Sequence, residues 1–339
     1  MQKFFSWVAA PLVAAALTVA APAAMATDIT GAGATFPYAV YTAWAEAYNA
    51  ATGARVNYQG IGSSGGIKQI KAKTVDFGGT DAPLTEAELD ESGLVQIPTV
   101  MGGVTIVANV PGFKSGELKL DGQTAADIFR GAITKWNDGA IAKLNPGVKL
   151  PDTAITISHR SDGSGTTHVF THYLAKQSEA FKAEVGAGKV GKWPANAVGG
   201  KGNPGVAANV MKIVGAIGYV DIADAMKNGM NFVALKNKAG NYVLPSQQSI
   251  ADAAGGADFK VKGMAPDLLD QTHKNAWPIT TATFVLAYPK GDDAARQKGV
   301  VDFFTWSLNN GQKKAEDLGF VALPANVVKM VEAEMKKIK

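Results

Sequence analysis

Three short segments rich in glycine and hydroxyl side chains are the parts of this sequence best suited to chemistry. They are residues 31–37 (GAGATFP), 62–66 (GSSGG) and 162–166 (DGSGT), and each precedes a stretch that favours a helix. A helix start leaves about four backbone N–H groups without partners and carries a partial positive charge. Any one segment alone is explained by ordinary helix capping. If the three converge, they predict a site for a small oxyanion, with Arg160 close to the third.

Charged residues stand at the ends of two predicted strands. Asp81 follows residues 77–80 (FGGT), at the sheet edge where open α/β sheets bind ligands. The alternative is a turn residue ahead of Ala-Pro. Arg160 ends another strand and is followed by Asp162, which indicates either a guanidinium held for an oxyanion or a surface ion pair. Phe36, from the pattern alone, is a packing residue.

Two enzymatic alternatives remain open from the residues. His168 and His172 share a helix face, but a zinc site needs further ligands, and the chain has no cysteine and no H-E-x-x-H motif. The default interpretation is a packed or exposed histidine pair. Residues 62–66 also satisfy G-x-S-x-G after a strand, which is the nucleophile pattern of α/β serine hydrolases. In that hypothesis Ser64 is the nucleophile and His273 the late histidine.

Alternating strands and helices must position these residues, and the alternation predicts α/β domains. Strands are predicted at 56–58, 75–77, 104–108, 155–157 and 283–287, and helices at 166–176, 296–308 and 325–337. Thr85 begins a capping box, and Pro37 suits the first turn of a helix. Residues 199–205 (GGKGNPG) are interpreted as a loop.

Composition bounds the class of protein. Residues 1–26 hold a single charge, Lys3, then an apolar run and an A-x-A site, which predicts a signal peptide cleaved after Ala26. With no cysteine in 339 residues, a lipoprotein anchor and a disulfide framework are both excluded. The formal charge of +4 is dispersed and gives no case for nucleic acid. The length predicts two domains, and with no long linker the chain must cross between them more than once.

The motifs together resemble one family, the periplasmic phosphate-binding proteins of high-affinity phosphate ABC importers. The matching stretches run in order along nearly the whole mature chain: 30–37, 58–66, 75–83, 133–136, 144–147, 160–166, 215–220 and 276–280. The resemblance implies a two-lobed α/β fold, each lobe a mixed sheet flanked by helices, joined by hinge strands. Lobe I would hold residues 27–105 and 278–339, and lobe II residues 106–277.

The resemblance also implies a ligand set for one dehydrated phosphate. From lobe I it comprises Thr35, Phe36 through its backbone N–H, Ser63 and Asp81, and from lobe II Arg160, Ser164, Gly165 and Thr166. Asp162 would steady Arg160. His168 and His172 differ from what the family commonly has, beyond the site motif. The implied protein is periplasmic, monomeric and not an enzyme, binds no cofactor, metal or nucleic acid, and delivers phosphate to an ABC permease.

Asp81 separates phosphate from its closest competitors. Phosphate keeps at least one proton at neutral pH and can donate it to a carboxylate. Sulfate is unprotonated, so it would leave the buried acceptor unpaired and face a like charge. A polar site of this kind rejects an isostere by ~10⁴-fold or more. A receptor for another tetrahedral oxyanion, such as sulfate or molybdate, and a serine hydrolase using Ser64 are the competing functions.

Overall fold

The computed structural model describes residues 27–339, so the predicted signal peptide lies outside the described residues. The described strands are β1 (Ile29–Gly33), β2 (Val56–Gly60), β3 (Phe77–Thr80), β4 (Val95–Ala108), β5 (Lys119–Leu120), β6 (Thr156–Arg160), β7 (Val198–Gly200), β8 (Ala216–Asp221), β9 (Ala234–Lys236), β10 (Tyr242–Val243) and β11 (Thr280–Ala287).

The helices surround these strands. They are α1 (Tyr38–Thr52), α2 (Ser63–Lys71), α3 (Glu86–Ser92), α4 (Gly122–Phe129), α5 (Gly139–Leu144), α6 (Gly165–Gln177), α7 (Glu179–Glu184), α8 (Gly202–Lys212), α9 (Ile222–Lys227), α10 (Gln247–Ala254), α11 (Ala294–Asn310), α12 (Gln312–Asp317) and α13 (Ala325–Met335), with a short 3₁₀ turn at Lys262–Met264. None of the helices in the described chain combines the length and the apolar run that a membrane crossing requires.

One mixed sheet runs through the molecule in the order β2-β1-β3-β11-β4-β8-β6-β7. Strand β11 is antiparallel to both β3 and β4, and β4 is antiparallel to β8. The 14-residue β4 pairs with β11 up to Gly103 and with β8 from Val104 onward, so one strand belongs to both halves of the sheet. A second, small sheet has the order β10-β9-β5. The predicted α/β class with mixed sheets and flanking helices is confirmed.

The chain leaves the first half of the sheet and returns to it at one place. Val104 N–H donates to the Ile279 carbonyl at 2.9 Å, and Trp277 Nε1 donates to the Val104 carbonyl at 2.9 Å. These bonds fasten the outgoing and the returning segments side by side. The only segments that lead from one half to the other therefore lie next to each other in the described chain.

Each half of the sheet packs against aromatic side chains that also reach the loops at its edge. In the first half Tyr58 stacks on Phe77 at 5.8 Å, and its hydroxyl donates to the Ala34 carbonyl at 2.8 Å. In the second half Tyr219 stacks on Phe170 at 4.2 Å, and its hydroxyl accepts the Arg160 N–H at 3.2 Å. Both cores therefore fix backbone that borders the predicted site.

Most predicted elements are confirmed with small changes of boundary, and two predictions are wrong. The strand predicted at 75–77 is β3 at Phe77–Thr80, because the Asp76 carboxylate accepts the Thr30 N–H at 2.7 Å instead of facing a core. The loop predicted at 199–205 is β7 followed by the start of α8. A Cβ at Gly200 would lie 2.4 Å from the Gly205 carbonyl carbon, so these glycines mark close packing of strand on helix.

Candidate functional site

The starts of α2 and α6 face each other across the two halves of the sheet. Gly165 N–H donates to Ser63 Oγ at 3.0 Å, and Ser64 N–H donates to the Gly163 carbonyl at 3.0 Å. A Cβ at Gly163 would lie 2.2 Å from Ser64 Oγ, so glycine is needed for this approach. The starts of α2 and α6 therefore converge, which is the condition that the oxyanion-site hypothesis set for them.

The start of α1 joins them through a fourth helix start, that of α8. Thr35 Oγ1 accepts the Asn203 backbone N–H at 3.2 Å, and this bond again links the two halves. Phe36 is fully buried and packs edge-on against Phe320 at 5.6 Å. Its ring is therefore a core side chain, as the sequence predicted.

Asp81 follows β3 directly and is 1% exposed. Its N–H donates to Ser63 Oγ at 3.3 Å, and its Oδ1 accepts from Thr283 Oγ1 at 2.8 Å. Its Oδ2 is buried and has no hydrogen-bond partner within the described residues. Burial raises the pKa of Asp81 to about 7, although the Thr283 hydrogen bond, the charge of Arg160 and the Thr166 hydroxyl lower it. The Thr166 hydroxyl does not meet hydrogen-bond geometry with Oδ2, which therefore remains unpaired. The site thus contains one strong acceptor that needs a donor.

Arg160 ends β6, and its side chain is 1% exposed. Its Nε and Nη2 donate to the two oxygens of Asp162 at 2.8 and 2.5 Å, which fixes the plane of the guanidinium. Its Nη1 donates to Asn203 Oδ1 at 2.9 Å and lies 3.4 Å from Thr166 Oγ1. Burial opposes the ionisation of Asp162, but the bonds and charge of Arg160 outweigh it and hold the pKa of Asp162 below its usual value. The predicted Arg160–Asp162 pair is a buried clamp and not a surface ion pair.

Ser164, Gly165 and Thr166 are all buried at the start of α6. Ser164 caps the helix, because its Oγ accepts the Thr167 N–H at 3.0 Å. That bond uses a lone pair of the hydroxyl and leaves its proton for another acceptor. Thr167 Oγ1 in turn bonds the Tyr219 hydroxyl at 2.7 Å, which ties the helix start to the core of the second half.

Two buried residues at this site were missed from the sequence. Asn203 contacts both Arg160 and Thr35, and Thr283 orients the Asp81 carboxylate. A signal for Asn203 exists: it stands directly before Pro204, and proline is favoured in the first turn of a helix. Thr283 lies inside a buried strand, and its position 202 residues from Asp81 leaves no local signal.

The residues of the two enzymatic alternatives are not assembled into a site. His172 Nδ1 bonds the His168 carbonyl at 2.7 Å, and burial lowers the pKa of His168 to about 3. Residues 27–339 hold no group of three or more potential metal ligands. Within the same residues, Ser64 has no hydrogen bond to a histidine, and His273 lies 3.6 Å from the Asp252 carboxylate instead.

Comparison with known proteins gives close relatives along the whole chain. A model described as a PBP superfamily domain matches residues 18–310. The phosphate-binding protein PstS of Xylella fastidiosa (strain 9a5c) is 51% identical over 306 residues, which cover 90% of this chain and 84% of that protein. The protein of the same name from Pasteurella multocida (strain Pm70) is 46% identical over 328 residues, which cover 96% of this chain and 95% of the relative.

Solved structures agree on the architecture. A phosphate-binding protein from Stenotrophomonas maltophilia superposes with a TM-score of 0.72 at 22% identity, covering 91% of this chain and 94% of that one. A high-affinity periplasmic phosphate-binding protein, PfluDING, solved with phosphate bound, gives a TM-score of 0.71 at 23% identity and covers 90% and 93%. At this identity the likeness shows the fold, which is the two-lobed fold of periplasmic binding proteins.

Proposed function

This chain belongs to the PstS family of periplasmic phosphate-binding proteins, and from that premise we propose that it is the substrate receptor of a phosphate ABC importer. It binds inorganic phosphate between its two lobes and delivers the ion to a permease in the inner membrane. It performs no chemistry on its ligand. The single observation that carries the proposal is the buried carboxylate of Asp81, whose Oδ2 lacks a partner among the described residues and lies beside converging helix starts.

The proposed ligand set is the one that the family resemblance implies. It comprises Thr35, Phe36 (through its N–H), Ser63, Asp81, Arg160, Ser164, Gly165 and Thr166, with Asp162 steadying Arg160. Helix-end N–H groups, hydroxyls and one guanidinium can replace the hydration of a buried anion. Arg160 is already neutralised by Asp162, so the set supplies many donors without a large excess of positive charge. Asp81 would accept the proton that phosphate keeps.

The two lobes are proposed as residues 27–105 with 278–339, and residues 106–277. The change of pairing partner along β4 at Gly103–Val104 and the Val104–Ile279 bond support these boundaries. Release of the ligand then requires the lobes to separate about the segments they share. We propose further that the mature protein begins after Ala26, resides in the periplasm as a monomer, and has no nucleic-acid partner.

Competitive titration tests this function directly. The protein is unfolded and refolded to strip carried-over ligand, then titrated with phosphate in the presence and absence of a large excess of sulfate at about pH 8.5, where Asp81 is ionised and phosphate keeps one proton. Phosphate should bind, and sulfate should compete little. Equal competition by sulfate or molybdate would establish a general oxyanion receptor, and no binding of any of the three would reject the receptor function. Turnover of an acyl ester that is abolished by Ser64→Ala would favour the hydrolase.

Gly163→Ala should prevent full closure of the lobes. The added Cβ would lie 2.2 Å from Ser64 Oγ and 2.5 Å from Ser64 Cβ, and every atom near it belongs to the opposite lobe. The variant should therefore fold normally but bind phosphate about 5- to 150-fold more weakly, the range for an overpacked contact of about 1–3 kcal/mol. Small-angle scattering should show phosphate compacting the wild type more than the variant.

Gly139→Ala is the matched control for Gly163→Ala. Gly139 lies in the same lobe, at the start of α5, with no atom within 4 Å of an added Cβ. Its variant should bind phosphate and compact like the wild type. If Gly163→Ala binds and compacts equally well, Ser64 and Gly163 do not approach each other in the bound form.

A further inference from the structure

Asn203 occupies the junction of both lobes, and its contacts exceed those of a helix-capping residue. It is fully buried in the first turn of α8. Its Oδ1 accepts from Arg160 Nη1 at 2.9 Å, and its Nδ2 donates to Asp221 Oδ2 at 2.6 Å. Its backbone N–H donates to Thr35 Oγ1 at 3.2 Å. Three elements distant in sequence therefore meet at one amide-bearing residue.

The chemistry of the neighbours dictates how the amide is turned. A guanidinium can only donate hydrogen bonds, so the group that faces Arg160 must be the amide oxygen. The amide nitrogen then faces Asp221, whose carboxyl group accepts. Asp221 is itself held, because its Oδ1 accepts the Asp224 N–H at 2.9 Å as the cap of α9. Because Asp221 is itself held in place, its carboxyl group fixes the orientation of the Asn203 amide.

The guanidinium of Arg160 is consequently hydrogen-bonded along two of its edges. Asp162 holds the edge formed by Nε and Nη2, and Asn203 holds Nη1. A guanidinium restrained only by Asp162 could pivot about that edge, which would shift Nη1 relative to the start of α6. The Asn203 bond removes this freedom before a ligand arrives, and pre-ordering a donor strengthens binding.

We propose that Asn203 is a positioning residue for phosphate binding. Its side-chain amide holds Arg160 Nη1 in place, and its backbone N–H, which bonds Thr35 of the other lobe, links this contact to closure of the lobes. The inference rests on the proposed function and adds a residue that belongs neither to the ligand set nor to its Asp162 support. Through Asn203, the carboxyl group of Asp221, which ends β8 and caps α9, is connected to the proposed ligand site without belonging to it.

The first test compares two asparagines on the same helix. Asn203→Ala leaves Arg160 Nη1 and Asp221 without their amide partner, and phosphate should bind about 10- to 100-fold more weakly, as expected for a lost bond to a charged group. Asn209→Ala removes an amide that bonds Ser158 Oγ and the Gly199 carbonyl within one lobe, and its affinity should not change. Isothermal titration measures both, with far-ultraviolet circular dichroism to confirm folding.

The second test uses Asn203→Asp, which has nearly the same shape. The charged and titratable groups around this position are Arg160 and Asp162 on the β6 side, Asp221, Asp224 and Lys227 on the α9 side, and Glu46 on α1 across a cavity of about 600 Å³. Burial already raises the pKa of Asp221 well above its usual value. A second carboxyl group between Asp221 and Arg160 would share one proton with Asp221, because Arg160 favours one negative charge there and the two carboxyl groups oppose a second.

The variant should therefore recover at low pH. While the pair holds one proton, a hydrogen bond between the two carboxyl groups replaces the amide bond, and the new group still accepts from Arg160. When the pair loses that proton at higher pH, the two negative charges repel each other and displace the Arg160 contact. The ratio of variant to wild-type dissociation constants should therefore rise from about pH 5.5 to about pH 8.5, whereas the ratio for Asn203→Ala should stay level.

Each outcome has a definite meaning. Weak binding by Asn203→Ala together with low-pH recovery of Asn203→Asp establishes positioning. Wild-type affinity in Asn203→Ala, or a ratio for Asn203→Asp that does not change with pH, overturns it. If Asn203→Ala does not fold, the pH series on Asn203→Asp decides alone. Failure of the wild type to bind phosphate would instead count against the proposed function.

Discussion

Arg160→Ala should weaken phosphate binding by about 2–5 kcal/mol, which corresponds to roughly 30- to 5,000-fold in the dissociation constant. Arg160 is the only cation in the proposed ligand set. Its side chain is 1% exposed, so water cannot readily replace the lost guanidinium as a donor to the anion. Its loss also leaves the Asn203 amide oxygen without its donor, and leaves the Asp162 carboxylate with only the Gly202 N–H as a donor among the described residues. Titration calorimetry with phosphate gives the dissociation constant directly.

Two further variants show whether the loss comes from the ligand contact. Arg130→Ala removes an arginine of the same lobe that pairs with Asp127 and Glu184 and takes no part in the site, so phosphate affinity should be unchanged. Arg160→Lys keeps the charge but cannot hold Asp162 with two parallel bonds, and it should lie between wild type and alanine. An unchanged dissociation constant in Arg160→Ala would remove Arg160 from the proposed set.

Asp81→Asn should reduce the preference for phosphate over sulfate on the order of 100-fold, the range for an unpaired buried contact to a charged group. The amide removes the negative charge that opposes a fully ionised ligand, and its nitrogen can donate to sulfate. Phosphate should still bind, because the amide oxygen can accept the phosphate proton. Competitive titration with both anions measures the change.

The pH dependence gives a sharper form of the same experiment. Burial raises the pKa of Asp81 to about 7, so below that pH the wild-type carboxyl group is itself protonated and can donate to sulfate. Direct titration with sulfate alone isolates this effect, because sulfate does not change its charge in this pH range whereas phosphate does. Wild type should bind sulfate more tightly as the pH falls through about 7, and Asp81→Asn should show no such transition. Asp76→Asn, which alters a carboxylate bonded to Thr30 away from the site, should behave like wild type. If Asp81→Asn discriminates as strongly as wild type, another residue selects the ligand.

The sequence predicted those parts of the site that depend on local chain geometry. Glycine, a hydroxyl residue and a following apolar face within a few residues favour a helix start, so the starts of α1, α2 and α6 were predictable. The Arg160–Asp162 clamp was also within reach, because two residues separate its members. The burial of Arg160 and Asp162 could not be predicted, because it comes from elements far along the chain.

What the sequence could not predict depends on contacts between distant segments. Asn203 lies 43 positions from Arg160 and 168 from Thr35, so no window of sequence joins them. Strand β4 was predicted only for 104–108, because Gly102 and Gly103 interrupt its apolar pattern. In the fold those glycines make room for rings from elsewhere: an added Cβ would lie 2.7 Å from the Phe36 ring at Gly102 and 3.0 Å from the Trp277 ring at Gly103.

In the proposed division into lobes the second lobe is inserted into the first, and the bond between Val104 and Ile279 joins the two ends of the insertion. An inserted lobe whose two ends lie side by side can be exchanged without moving the two chain ends of the other lobe at the junction. Natural and engineered domain insertions favour such sites. Asp81 belongs to the first lobe and Arg160 to the second. Recombination at this one junction would therefore pair a new second lobe with an unchanged first lobe, so that the two proposed determinants of ligand choice can evolve separately.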